Sequence, residues 1–315
     1  MNDLHGRAIT YLRLSVTDLC DLRCIYCMPE GGVHKHTHGE ICSLEELRDM
    51  TAAAVRLGVR KVRVTGGEPL VRRGIVELCR MLWDIPGLEE LCLTTNGVLL
   101  PALAKPLRDA GVDRLNISLD TLRADRYRAI TRVGNLSDVL RGLEAAEASG
   151  FQNTKITCVL MGGINDDEIP GFVRLTQESP IQVRFIELMP MGICAGWDKS
   201  RFLPAKAVLE RVPELKPVGE SGVSLLYRLP GACGTVGLIE PMSHAFCSQC
   251  SRIRITADGR LKPCLHSAAE ISLRGLTGEA LLEALRAGIA AKPERHELKR
   301  DGVTQTGRGM NEIGG

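Results

Sequence analysis

Between residues 9 and 188, short runs of β-formers alternate with helical patterns, and this rhythm restricts the fold more than any other feature of the chain. Residues 9–16 read as a strand. Ser43-Leu44-Glu45-Glu46 is a capping box opening a helix that ends at Gly58. Further strands are expected at residues 61–64, 91–93, 114–118, 154–160 and 182–188, with helical stretches between them. Strands alternating with helices imply parallel βαβ units. Six units are too few for a closed eight-stranded barrel, so the expectation is an α/β fold, a partial (β/α)6 TIM-like barrel. In such a barrel the chemistry sits at the C-terminal ends of the strands. A cysteine-rich loop follows the first strand, Gly66-Gly67-Glu68-Pro69 the second, Thr94-Thr95-Asn96-Gly97 the third, and Ser118 ends the fourth. From Pro190 the rhythm is lost. Residues 1–225 are expected to form the barrel, and residues 226–315 a C-terminal extension packed across its open side.

Cys20, Cys24 and Cys27 are spaced C-x3-C-x2-C. Three thiolates can hold three irons of a cubane cluster and leave the fourth without a protein ligand. An open metal position marks a catalytic rather than a structural site. A zinc knuckle or a redox thiol pair is the plain alternative. A second group, Cys247, Cys250 and Cys264, has Arg252 and Arg254 embedded in it and His244 and His266 close by. Its donors fit either a closed zinc site or a second iron–sulfur cluster. Arginines beside an open metal position suit an anionic ligand, because guanidinium grips phosphate with a bidentate fork. Arginines exposed on a hairpin are the competing explanation.

Residues 1–10 contain no apolar leader, so the 12 cysteines point to metal binding or catalysis rather than a disulfide framework. The other six, Cys42, Cys79, Cys92, Cys158, Cys194 and Cys233, mostly lie in apolar runs and read as small core residues. A formal charge of +2 gives no broad basic field, so no nucleic-acid partner is expected and an anionic substrate needs local arginines. No apolar run is long enough to span a bilayer, and no membrane partner is expected. Neither a P-loop nor a G-x-G-x-x-G motif is present. His34, His36 and His38 alternate in a Gly-flanked stretch that reads as a solvated loop, and no role is assigned to them.

With both cysteine groups, Gly66-Gly67-Glu68-Pro69 and the ending Gly314-Gly315, the chain resembles the GTP 3′,8-cyclases. These are radical S-adenosylmethionine (radical-SAM) enzymes that open molybdenum cofactor biosynthesis. The likeness covers nearly the whole chain. It implies a six-stranded partial barrel with a [4Fe–4S] cluster at each end of a central cavity. Cys20, Cys24 and Cys27 would ligate the cluster that binds S-adenosyl-L-methionine, and Cys247, Cys250 and Cys264 the one that meets the guanine of GTP. Tyr26, Gly66, Gly67, Glu68, Ser118 and Met189 would bind S-adenosylmethionine. Arg13, Arg63, Thr94, Lys155, Arg252 and Arg254 would contact GTP, and five of these six are cations. The Gly-Gly tail would reach the active site and bring in Arg308 as a catalytic residue.

The implied reaction is a lyase reaction in which a 5′-deoxyadenosyl radical takes hydrogen from C3′ of the GTP ribose. The C3′ radical then adds to C8 of guanine, and reduction by one electron with uptake of a proton gives 3′,8-cyclo-7,8-dihydro-GTP, the substrate of cyclic pyranopterin monophosphate synthase. An electron donor, a cytoplasmic location and a homodimer are implied with it. Two rival readings differ in visible ways. A two-cluster radical-SAM enzyme acting on peptides would carry a longer C-terminal cysteine array. A zinc-stabilised adaptor would leave the barrel rhythm and Gly66-Gly67-Glu68-Pro69 as coincidences.

Overall fold

Each of the six expected strands is present, separated by helices. In the computed structural model, which describes residues 1–33, 37, 39–296, 298 and 304–314, the order begins β1 (Tyr11–Ser15), α1 (Leu44–Arg56), β2 (Lys61–Thr65) and α2 (Ile75–Trp83). It continues with β3 (Glu90–Thr95), α3 (Leu100–Asp109), β4 (Arg114–Ser118), α4 (Ala124–Thr131), α5 (Leu136–Ala148), β5 (Lys155–Leu160), α6 (Ile169–Glu178) and β6 (Gln182–Glu187). His34, His36, His38 and the terminal Gly315 lie outside the described residues. The capping box opens α1 as expected: Glu46 N–H donates to Ser43 Oγ (3.1 Å), and Ser43 N–H donates to the Glu46 carboxylate (2.7 Å). Gly58, at φ +111°, then ends the helical path.

The strands alternate strictly between two environments. Leu12 and Leu14, Val62 and Val64, Leu91 and Leu93, Leu115 and Ile117 are fully buried and form one core with Leu47, Leu78, Leu82 and Leu107 of the helices. Burial of each such side chain contributes about 1.5–3 kcal/mol. The intervening positions are Tyr11 and Arg13, Lys61 and Arg63, Thr94, Arg114 and Asn116, Lys155, and Arg184, and they line a cavity. Parallel strands covered on both faces by apolar layers read as continuous apolar runs. The alternation here arises because one face carries helices and the other a polar cavity.

After β6 come a short helix α7 (Ala207–Arg211) and strands β7 (Lys216–Ser221), β8 (Ser224–Arg228), β9 (Thr235–Ile239), β10 (Arg252–Ile255), β11 (Arg260–Lys262) and β12 (Ile271–Ser272). Helices α8 (Gly278–Ala290) and α9 (Met310–Ile313) end the described order. The sheet order is β12-β11-β10-β1-β2-β3-β4-β5-β6-β9-β8-β7. β10 runs parallel to β1 and β9 parallel to β6, while the outer strands are antiparallel. The extension therefore does more than cover an open side. It adds a parallel strand to each edge of the six-stranded unit and so pairs edge backbone groups that would otherwise be exposed. Among the described residues the sheet order ends at β12 on one side and β7 on the other with no pairing between them, so the barrel stays open. Among the described residues no helix is long and apolar enough to cross a membrane.

Candidate active site

A cavity of about 600 Å³ opens on the polar face of the sheet, and both cysteine groups face it. All six motif thiols are free and line it. Tyr26, Gly66, Gly67, Glu68, Ser118 and Met189 line it as well. Arg13, Arg63, Thr94, Lys155, Arg252 and Arg254 line it across the sheet. Of the candidate site residues, only Arg308 is not among those lining the cavity.

The first cysteine loop is held chiefly by backbone. At the end of β2, Gly67 N–H donates to Thr17 O and Glu68 N–H to Leu19 O, each at 2.8 Å. A Cβ at Gly67 would stand 2.4 Å from Leu19 O and 2.7 Å from Asp18 O, so the close approach requires glycine. Glu68 is buried, and its carboxylate accepts from Thr95 Oγ1 (2.7 Å), Asn96 N–H (2.6 Å) and Leu70 N–H (3.0 Å), tying β2 to β3. Burial lifts this carboxyl to about 7. On the far side, Arg23 and Ile25 donate from their N–H groups to Thr131 O and Ile130 O at the end of α4. Arg132, in a left-handed conformation at φ +65°, donates to Arg23 O (2.9 Å) and Met28 O (3.0 Å). A strained non-glycine residue persists where its surroundings fix it, here around the thiol loop. Tyr26 Oη donates to Asp120 (2.6 Å), whose other oxygen accepts from Val159 N–H (2.8 Å). Burial raises Asp120 to about 6 and pushes Cys20 up to about 12.

The second group is held by buried cations. Arg7, braced by Asp3 at 2.6 Å, donates to Cys247 O (2.8 Å), Glu294 O (2.9 Å) and Pro293 O (2.7 Å). Lys292 is buried, with Nζ donating to Arg252 O (2.7 Å) and Pro263 O (2.9 Å) and lying 3.5 Å from Cys250 Sγ. Burial works to raise the Cys250 thiol, but Lys292 and Arg252 outweigh it and hold the thiol below its usual range. His266 and His296 meet with ring centroids 4.9 Å apart and planes tilted by 55°, both lining the cavity, whereas His244 is exposed.

Between the two loops lies a shelf of cations set by strand register. Arg254, Arg13 and Arg63 are direct neighbours across β10, β1 and β2, and Arg252, Tyr11 and Lys61 form the row beside them. Tyr11 accepts from Arg63 Nε at 2.5 Å. Burial would raise the Tyr11 phenol, but Arg63, Arg13 and Arg252 bring it down to about 7. Burial, followed by Arg184, Arg114, Arg63 and Lys61, lowers Lys155 to about 7. Tyr11, Lys61, Arg114, Arg184 and Lys292 were not among the residues singled out from sequence. All except Lys292 occupy the same alternating phase as Arg13 and Arg63, which is the signal that identifies them. Lys292 comes after α8 and carries no such signal.

The tail also enters. Gly314 O accepts from Arg254 Nη1 (2.5 Å) and Arg13 Nη2 (3.3 Å), and Asn311 Nδ2 donates to Asp18 O (3.3 Å). Arg308 is gripped by Asp258 and Glu270. Of the six remaining cysteines, five are buried as expected and Cys233 is exposed.

These donors fit iron–sulfur clusters. Beyond the effect of burial, the thiols within each trio lie close enough for their charges to raise a neighbour's pKa, Cys27 and Cys20 acting on Cys24, and Cys264 and Cys250 on Cys247. Thiolates that each bind a different iron of one cluster need not converge on a single point.

Fold and site define a class that the comparisons bear out: residues 14–176 match the radical SAM superfamily. Residues 181–298 match Molybdenum Cofactor Synthesis C. The fold resembles Streptococcus suis SuiB bound to S-adenosylmethionine, with a TM-score of 0.63 over 91% of this chain and 72% of that one, at 14% identity, a likeness of fold alone. The chain is 48% identical to GTP 3′,8-cyclase of Alkaliphilus oremlandii (strain OhILAs) over 100% of both chains. It is also 48% identical to GTP 3′,8-cyclase of Geobacter sulfurreducens (strain ATCC 51573 / DSM 12127 / PCA) over 99% of both. The chain belongs to the GTP 3′,8-cyclase family.

Proposed function

We infer that this chain is a radical-SAM lyase that converts GTP to 3′,8-cyclo-7,8-dihydro-GTP in the first step of molybdenum cofactor biosynthesis. The observation that carries the reading is full-length identity of 48% to enzymes of that name. The cavity supports it, with a thiol trio at each of two loops and a cation shelf between them. The enzyme uses S-adenosylmethionine and two [4Fe–4S] clusters.

Cys20, Cys24 and Cys27 would hold the cluster that binds S-adenosylmethionine, and Cys247, Cys250 and Cys264 the second. When bound, the first cluster and S-adenosylmethionine supply a 5′-deoxyadenosyl radical, the reactive species the protein itself cannot make. The chain's own residues bind and orient. Tyr26, Gly66, Gly67, Ser118 and Met189 form the wall for the cofactor, and Glu68 braces that wall through β3. Arg13, Arg63, Lys155, Arg252 and Arg254, with Thr94, receive the triphosphate and fix the ribose. Bidentate guanidinium contacts suit phosphate, and fixing the ribose keeps C3′ and C8 in a reactive geometry.

The barrel comprises residues 1–225 and the extension residues 226–315, with β8 crossing that division within the sheet. A separate one-electron donor reduces the enzyme, and the product passes to cyclic pyranopterin monophosphate synthase. A homodimer and a cytoplasmic location complete the reading.

The test is anaerobic reconstitution with iron and sulfide, then metal analysis and mass spectrometry of the products. Brown protein with two four-iron clusters, converting GTP when given reductant and S-adenosylmethionine, is expected. Colourless protein with stoichiometric zinc, or GTP left intact, overturns the reading.

A further inference from the structure

Arg308 holds the tail from outside the cavity, and its contacts are unusually complete. Its Nε and Nη2 donate to the two oxygens of Glu270 (2.7 and 2.8 Å), and its Nη1 and Nη2 to the two oxygens of Asp258 (3.1 and 2.8 Å). Two carboxylates thus grip one guanidinium in paired forks, a geometry that fixes orientation as well as position. Lys262, fully buried, joins the same network, donating to Glu270 (3.1 Å), Ser267 O (2.8 Å) and Thr306 Oγ1 (3.2 Å). The chain is therefore pinned at Thr306 and Arg308.

Beyond this pin the chain is short and closely packed. Gly309 N–H donates to Glu312 (2.7 Å), α9 makes one turn, and Ile313 is buried beside Met191 and Leu298. Gly314 then stands against the end of β2 at φ +73°, where a Cβ would lie 2.0 Å from Thr65 Oγ1. Its carbonyl rests on Arg254 and Arg13. Asp258 lies just past β10, only four residues after Arg254, so the anchor and the cation receiving the tail belong to one hairpin. A hairpin that carries both fixes the distance between them.

We propose that Arg308 is a positioning residue: the grip of Asp258 and Glu270 sets the register in which the tail delivers Gly314 to Arg254 and Arg13. The assignment rests on the GTP-converting reading of the cavity and extends it. Arg308 acts through the tail and touches no substrate.

The test uses full-length, anaerobically reconstituted enzyme as wild type, Arg308→Gln, Asp258→Asn and the double variant. Hydrogen exchange across residues 310–314 and turnover of GTP are both measured. In either single variant, protection of the tail amides falls by at least about tenfold while β1–β6 exchange as in wild type. Loss of register lowers kcat on the order of 100-fold, since a misplacement of about 1 Å suffices for that. S-adenosylmethionine binding is unchanged. The double variant is no worse than the worse single one, because both changes cut the same link. If Asp258→Asn keeps wild-type tail protection and turnover while Arg308→Gln loses turnover, Arg308 acts directly and the proposal falls. It falls equally if both variants keep the tail protected. Should Arg308→Gln fail to fold, Arg308→Lys, which keeps the charge and loses the forks, carries the same comparison. Loosened tails in the variants alongside a wild-type enzyme that leaves GTP intact uphold the anchor and overturn the functional reading instead.

Discussion

The two cysteine loops face one cavity but are built on different physics. The first is clamped by main chain, with Gly66 and Gly67 pressed against residues 17–19, and its neighbours Asp21, Glu68 and Asp120 are acidic. The second is braced by Arg7 and Lys292 and flanked by Arg252 and Arg254. Cations thus collect on the cavity wall around the second loop, whereas Glu68 on that wall and Asp21 and Asp120 behind it stand by the first. Opposite charge favours a bound anion and like charge opposes it. In the proposed function the triphosphate is accordingly assigned to the second loop and the cation shelf, and the first loop to the cofactor.

Gly67→Ala tests this contrast most severely. The new Cβ meets backbone carbonyls rather than flexible side chains, so the loop itself must shift. The expected outcome is loss of the first cluster and of all turnover, with the second cluster retained. Iron analysis of the reconstituted protein checks it; unchanged iron content refutes the clamp.

Next in size is the pair Arg252→Ala and Arg254→Ala. Truncating charged partners in a desolvated site costs about 2–5 kcal/mol, so GTP affinity should fall at least about 30-fold. S-adenosylmethionine cleavage should persist, because neither arginine is at the first loop. Calorimetric titration with each ligand decides it, and equal loss of both would contradict the division of charge. Lys292→Met is expected to act on the second loop in the opposite sense from Gly67→Ala. It strands two buried carbonyls at about 1–3 kcal/mol each, lowering the melting temperature and emptying the second cluster before the first. Selective loss of the first cluster would reverse the assignment.

Much of this was legible in the chain, and the reasons are local. Cysteine spacing marked both thiol groups, strand-end position placed the first, and the alternation of Arg252-Ile253-Arg254-Ile255 carries the same two-residue period as β1 and β2. What could not be read was where β9 and β10 attach. Strands of four or five residues in a Gly- and Pro-punctuated stretch declare a face but not a partner, and the partners here lie at opposite edges of the sheet. The tight contacts of Gly66 and Gly67 were legible as a need for close approach, but the approaching group turned out to include the chain's own thiol loop. Arg308 was legible only as part of a tail. The carboxylates that hold it come from a turn and from the residue before β12, both far from it in sequence, and nothing in their spacing links them.

The smallest effect is a proton count, and it tests the shelf without removing any arginine. In the free enzyme Lys155 is lowered to about 7 by burial and the cations around it, and the Tyr11 phenol lies at about 7 because three arginines outweigh its burial. At pH 8 both are largely deprotonated. A bound triphosphate brings negative charge beside them, which restores the cationic lysine and the neutral phenol. Binding above pH 7 is therefore coupled to proton uptake, and affinity should weaken with rising pH by up to about tenfold per unit for each proton taken up. The same depression bears on folding. Between about 7 and the ordinary lysine range the unfolded chain holds a proton on Lys155 that the folded protein lacks, so this residue's contribution to stability rises with pH. Calorimetry of GTP binding at pH 8 in buffers of different ionisation enthalpy measures the uptake directly. Lys155→Met and Tyr11→Phe should each remove about one proton from the wild-type count. A wild-type enzyme that takes up none would place the triphosphate away from the shelf and undo the contrast between the two loops.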